Sequence, residues 1–440
     1  MLIAIVVAAL VLGWLFLLAV VPQDKVAGIG VGIVVALFFL ASSPSVPEAV
    51  RDITLIGGLV LLGLAALSRP WPRSLTHPVV LLVALFYIVS IVSTYAVFAS
   101  ALNSVLRFGA LALMMCVVVS QLTRRDVIAL LKFLVGFAVF QVGLGLIEVA
   151  VLGRPVLWGY GALTSGLPAL YPNTLLGEAV LRVQGTAGHP IPFAMLLAAA
   201  FVIVLYLKDE WRFRFRMGLL AILSLGLVLS GTRSALVAVG IVLVVKLLTT
   251  RSEKRILSVF AVAVSVVIVV VLLGSSIADA YREFTGTGSF YNRVGALASV
   301  PALLARQPLE VLFGSGVGSE ASLFGRGFLQ QNGFNIVDNQ LVTTLATGGV
   351  VGLLLLVVFI AVAVKRSDPL TRGLIIVMIV AMFSFDYLRW FSMIALLFVV
   401  VTLPSAKTGF TGEADSNEIT RLEKAKDRRA SKKKSLQLSI

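Results

Sequence analysis

A succession of apolar runs, most of them about 17–25 residues long, dominates this 440-residue chain. A helix of that length crosses the hydrocarbon core of a bilayer, and in lipid only helices and closed barrels satisfy their own backbone. The runs lie near 2–21, 26–42, 52–68, 78–97, 103–121, 126–151, 190–207, 216–231, 234–248, 255–274 and 345–364. A last stretch, 370–403, is too long for one simple span and is interrupted by Asp386, Arg389 and Trp390, so it reads as two helices meeting at a polar break. Only 13% of the residues are charged, against about 25% in an average soluble chain. The fold class read from this pattern is all-α, a polytopic membrane protein with about 12–13 transmembrane helices. The first run has no basic segment before it and no small-residue cleavage site after it, so it reads as a retained helix rather than a removed leader.

The net charge of +15 is distributed as topology signals are, not as a nucleic-acid face is. Much of the excess sits in the tail between Arg421 and Lys434, and the rest dots short interhelical loops: Arg69/Arg73, Arg124/Arg125, Lys208 to Arg216, Arg251/Lys254/Arg255 and Lys365/Arg366/Arg372. The positive-inside rule makes these loops cytoplasmic together, in contact with anionic membrane lipids. Two longer loops, 152–189 and 275–344, then both face outward. Residues 1–405 read as one transmembrane domain and 406–440 as a basic cytoplasmic tail, disordered by composition. If every run spans, the N-terminus is outside and there are 13 helices; if one early run does not, there are 12 and both termini are inside. The lone Cys116 lies in an apolar run, so no disulfide framework exists.

Lysine and arginine are divided unequally. Lys25, Lys132, Lys208, Lys246, Lys254 and Lys365 lie in or near inner loops, and neither long outer loop contains a lysine. The outer loops carry Arg154, Arg182, Arg282, Arg293, Arg306 and Arg326 instead. The guanidinium is a planar, always-charged fork suited to bidentate phosphate recognition, whereas lysine is a point charge. Against this stands the plain reading that charge bias alone arranges the basic residues.

Three polar interruptions stand out. Arg182, Gln184 and His189 precede a span that opens on Pro190, a residue favoured in the first helical turn because its missing N–H would be unpaired there. Gly231-Thr-Arg-Ser-Ala235 joins two spans with almost no loop, which holds Arg233 at the membrane boundary. Asp338 and Asn339 end the second outer loop, before Gly348-Gly-Val-Val-Gly352. Each has a plain alternative: a helix-capping histidine, an arginine snorkelling to lipid phosphate, a carboxylate that merely pairs with arginine. The glycines of Leu312-Phe-Gly-Ser-Gly-Val-Gly318 lack the Gly-Lys-Ser/Thr ending of a nucleotide loop. With one imidazole on the outer side and His77 on the inner, a histidine-rich metal centre is disfavoured; no metal and no cofactor is expected.

Taken in order, Arg-x-x-Gly-Thr-x-x-His-Pro before a span, Ser-Gly-Thr-Arg-Ser-Ala between two spans, Phe-Gly-x-Gly in a long outer loop, and an Asp-Asn pair followed by Gly-Gly-x-x-Gly resemble the O-antigen ligase and Wzy-type polysaccharide polymerase superfamily. The resemblance covers about residues 100–400 and implies a GT-C-like membrane glycosyltransferase. Members transfer glycan from a polyprenyl (undecaprenyl) diphosphate carrier to an acceptor hydroxyl on the outer face of the bacterial cytoplasmic membrane, so the partners implied are the lipid-linked oligosaccharide and a glycan acceptor, with a flippase and a chain-length regulator nearby. Ligases of the family carry His where this chain has Asp338, a departure that favours a polymerase of repeat units over a ligase.

On that reading Arg182, Arg233, Arg293 and Arg326 bind the donor diphosphate and stabilise the charge that builds as it leaves. Asp338 or His189 takes the acceptor proton, and Gln184 and Asn339 orient the acceptor. The rival class is a lipid-linked oligosaccharide flippase. That class is expected to place polar groups near mid-bilayer and to show repeated halves, neither of which the sequence displays.

Overall fold

The computed structural model describes residues 12–41, 46–68, 77–155, 172–173, 175–249, 288–333 and 335–404. The expected span at 255–274, most of that at 2–21, the tail at 406–440, and Arg69, Arg73, Arg251, Lys254, Arg255 and Arg282 lie outside the described residues.

The sequence of helices is α1 (Gln23–Leu40), α2 (Glu48–Leu67), α3 (Pro78–Val97), α4 (Leu102–Ser120), α5 (Arg124–Ile147), α6 (Pro190–Tyr206), α7 (Phe213–Ser230) and α8 (Arg233–Thr249), then four short helices, α9 (Gly288–Ala298), α10 (Val300–Leu304), α11 (Pro308–Phe313) and α12 (Glu320–Gly325), and finally α13 (Gln340–Arg366), α14 (Pro369–Met382) and α15 (Phe391–Thr402). Before α6 a short antiparallel hairpin pairs β1 (Pro172–Asn173) with β2 (Gly177–Leu181). Among the described residues seven helices are long and apolar enough to cross a membrane, and α6, α14 and α15 are shorter apolar helices. The chain is an all-α, multi-pass membrane protein, and the long run at 370–403 is two helices with a polar break between them.

The core lies around α6 and α15. Every residue from Pro190 to Val204 is buried, and so is every residue from Ser392 to Thr402. A helix apolar on all sides must be enclosed by others; here α5, α7, α8 and α14 enclose α6, and α1, α4 and α14 enclose α15. Glycines permit the closest crossings: a Cβ at Gly28 of α1 would overlap the backbone of Asp126 in α5, whose carboxylate accepts from Gly28 N.

Successive helices run in opposite directions, so their ends sort into two groups. One end collects the C-terminus of α2 and the turns after α4, α6 and α13, with Arg124, Lys208, Arg212, Lys365 and Arg366. The other collects the turn between α3 and α4, residues 148–155 and 175–189, the α7–α8 turn, residues 288–333 and 335–339, and the 383–390 break. The described residues of the two long loops therefore share one end.

The second loop is fixed to the bundle by a kink in α13. Gly349 is non-helical (φ 65°), which frees the carbonyls of Leu345, Ala346 and Thr347 from their partners one turn ahead. Arg306 donates to Leu345 O at 2.9 Å and to Ala346 O at 2.8 Å, Ser315 N to Ala346 O, and Gly316 N and Ser93 Oγ to Thr347 O. Gly314 (φ 79°) lies so close that a Cβ would overlap the Thr347 carbonyl. The two glycine motifs of the sequence are thus the halves of one structural joint.

Candidate active site

The site end is built from motifs that interlock. Arg182, just after β2, donates from Nε to Ser230 O (2.7 Å) and from an Nη to Thr232 Oγ1 (3.0 Å). Val183 N donates to Leu229 O, and Thr232 Oγ1 to Pro190 O. The first polar interruption is therefore bonded to the second, the tight turn in which Gly231 takes φ 61°. Two buried side chains of the preceding helical segment hold the loop from beneath: Glu148 accepts from Gln184 N and Gly185 N (2.9 and 3.2 Å), and Gln141 brackets Thr186 through its backbone N and its hydroxyl. Glu148 and Gln141 sit inside an apolar run, and the sequence reading passed over them. The buried Gln184 belongs to this scaffold through its backbone N.

His189 is the N-cap of α6, its Nδ1 accepting from Ile191 N at 3.2 Å. Its ring lies 5.8 Å from Phe385 and 5.9 Å from Trp390, which ties α6 to the break before α15. Burial, and then the charge of Arg182, push the imidazole down to about 3, so it is neutral at ordinary pH. That break is tied in turn to the third motif, because Leu388 N donates to Gln340 Oε1 at 2.8 Å. Asn339 caps α13, accepting from Leu341 N and Val342 N, and its buried Nδ2 has no acceptor among the described residues.

Asp338 stands at the mouth of α13 and accepts from Asn292 Nδ2 at 2.9 Å; Gln330 Nε2 donates in turn to Asn292 Oδ1 at 2.8 Å. Burial pushes the Asp338 carboxyl above the usual carboxylate range, while Arg293 and the Asn292 hydrogen bond hold it back. Arg293 is half-buried, interacts electrostatically with Asp338 and Arg233, and has an Nε with no acceptor among the described residues. Arg233 is half-buried at the start of α8.

The break adds groups that the sequence marked only as interruptions. Burial raises Asp386 to about 7, against the pull of Arg389 and with the help of Glu320 and Asp338. Arg389 bridges Glu320 (2.7 Å) and Asp386 (3.4 Å).

One arginine expected to meet phosphate, Arg326, and one further outer-loop arginine, Arg306, are held by other partners. Arg326 is exposed, makes a bidentate pair with Glu310 (3.1 and 3.0 Å) and lies over Phe328, so its fork is already occupied. Arg306 is buried in the α13 joint. An arginine's partner decides its role, and spacing alone does not name that partner. Among the described residues no cluster of three or more His, Cys, Asp or Glu side chains is arranged to hold a metal.

The structure thus brings Arg182, His189, Arg233, Arg293, Asp338 and Asn339 to one end of the bundle. The helices α6, α8, α13 and α15 begin there, each turning its positive dipole end toward the same region. Residues 218–357 match the family model described as O-antigen ligase. That stretch, about a third of the chain, is what resembles the O-antigen ligase family. It contains Arg233, Arg293, Asp338 and Asn339, and leaves Arg182 and His189 outside. No curated protein matches the chain significantly. A membrane enzyme of the ligase or polymerase type, acting on a lipid-linked glycan and a glycan acceptor, is what this superfamily implies.

Proposed function

We propose that the chain transfers glycan from a polyprenyl diphosphate carrier to an acceptor hydroxyl at the outer face of the cytoplasmic membrane, and that it polymerises repeat units in the manner of Wzy-type enzymes. The observation that carries this reading is the convergence of Arg233, Arg293 and Asp338, drawn from three separate segments, on an end of the bundle where four helices begin. The positive-inside rule assigns the lysine-rich end to the cytoplasm and so this end to the outside.

Charge grows on the diphosphate oxygens as the glycosyl bond breaks. Arg233 and Arg293, with Arg182 held in place by the α7–α8 turn, form a fixed cationic surface that needs no reorganisation as that charge appears. Asp338, whose carboxyl burial carries upward while Arg293 and Asn292 hold it back, takes the acceptor proton. His189 is neutral and half committed to capping α6, so it positions the Arg182 segment. Asp at 338, where ligases of the superfamily carry His, favours a polymerase over a ligase. The flippase reading receives less support, because the ionisable groups gather at one end rather than at mid-bilayer.

The test uses purified enzyme and polyprenyl diphosphate-linked repeat units. Arg233→Lys keeps the charge and loses the fork, and should abolish chain extension while the protein still accumulates in the membrane. Near-normal polymer from this variant refutes the assignment.

A further inference from the structure

A cavity of about 670 Å³ lies beside α12, lined by Glu320, Ala321, Phe324, Gln330, Asn335 and Arg389 among others. Small-molecule pockets are roughly 300–1,000 Å³, so its size is that of a binding site rather than a packing flaw. Two side chains of the lining, Glu320 and Gln330, are more than nine-tenths buried, and each has one oxygen, Glu320 Oε1 and Gln330 Oε1, with no donor among the described residues. A buried acceptor without a donor is costly, and a ligand rich in hydroxyl donors relieves that cost. Gln330 also leads directly to Asp338 through Asn292, which connects the cavity wall to the proposed base.

Its electrostatics narrow the ligand further. Among the described residues Arg389 is the one cation of the lining, and it is already held by Glu320 and Asp386, which leaves no surplus positive charge for a carboxylate or phosphate. Phe324, mostly packed into the adjoining core, adds an apolar patch to the lining, and Gly318, Gly325 and Gly333 leave the wall open to close approach.

We propose that this cavity is a saccharide subsite for uncharged sugar units of the glycan, with Glu320 and Gln330 as its hydroxyl acceptors, and with Arg389 already neutralised by Glu320 and Asp386 so that anionic sugars find no counter-charge. The inference rests on the glycan-transfer reading for its ligand class. Donor and acceptor glycans share this chemistry, and the experiment separates them.

Ala321 is exposed on the cavity side of α12, so Ala321→Trp fills the space without removing a hydrogen bond. In the purified enzyme this variant should raise one KM by at least about tenfold with kcat nearly unchanged, and the substrate whose KM rises is the one that occupies the cavity. Unchanged KM for both donor and acceptor overturns the proposal. A second measurement needs no activity. Cys116 is buried, so a single Ala321→Cys reports alone when membranes are labelled with a maleimide. Labelling should be slower in membranes that hold the lipid-linked glycan than in membranes blocked in its synthesis; equal rates overturn the proposal. Protection without any transfer from the purified donor would leave the subsite standing and remove the enzymatic reading instead. Transfer with neither effect would remove the subsite alone.

Discussion

The two ends of the bundle use charge in opposite ways. At the lysine-bearing end the ion pairs are part exposed: Lys132 meets Glu210 and Arg125 meets Asp24, each at 2.6 Å, with the basic partners 42% and 69% exposed. The other end has part-exposed pairs too, such as Arg326 with Glu310, but it also buries Glu320, Asp386 and Arg306, where the lysine-bearing end buries Asp126, and Arg306 bonds carbonyls, not an acid. Exposed pairs contribute little to stability and serve orientation in the membrane, whereas buried charge is costly unless every neighbour is in place. The end that tolerates loose charge reads as topology, and the end that confines it reads as architecture and site.

The sharpest way to break this contrast is at the α13 joint. Arg306→Met should cost about 1–3 kcal/mol for each backbone carbonyl left unpaired, chiefly Leu303 and Leu345, and should sharply reduce the folded protein recovered from membranes. A variant with the parental melting temperature would mean the joint is ornamental.

Asp338→Asn tests the chemistry. Loss of the base should lower kcat by about 10²–10⁴-fold, with donor binding nearly intact, whereas His189→Gln should cost much less. If the order is inverted, His189 is the base and Asp338 its support.

Asp386 gives the contrast a pH axis. Its folded-state carboxyl is raised to about 7, above its unfolded value of 3.8, so the folded protein holds this proton more tightly. The stability this contributes is complete below pH 3.8 and is lost as pH rises through about 7. Asp386→Asn should flatten the fall in melting temperature across that window and stabilise the protein above it; an unchanged slope would show that another group titrates there.

The smallest effect belongs to the opposite end. Lys132→Ala removes a part-exposed pair and should change stability by no more than about 1 kcal/mol, within the error of most melting measurements.

The helices were largely legible from the apolar pattern: 78–97 is α3 residue for residue, and 370–403 divides at the polar break as read. Where the reading fell short, a polar side chain was satisfied inside a helix. The run beginning at 345 is the visible part of α13, whose first turns carry Gln340 bonded to Thr344 and to Leu388 N, so polarity there does not signal a loop. The motifs located Arg182, His189, Arg233 and Asp338, because each interrupts an apolar run. They did not locate Glu148, Gln141 or Asn292, whose work depends on backbone N–H groups or amides from distant segments. Nor did they separate Arg293 from Arg326: both are outer-loop arginines in the sequence, and only the Glu310 beside one of them tells them apart.

The kink at Gly349 also bears on biosynthesis. Residues 313–318 are gripped on one side by α3, where Thr94 accepts from Val317 N, and on the other by the carbonyls of α13. A ribosome delivers α3 early, the glycine loop much later and Thr347 later still. Until α13 is inserted the loop has half its anchorage, and a nascent chain stalled before Thr347 exposes an unfinished joint to membrane proteases. The joint can therefore close only once α13 is in place, late in translation.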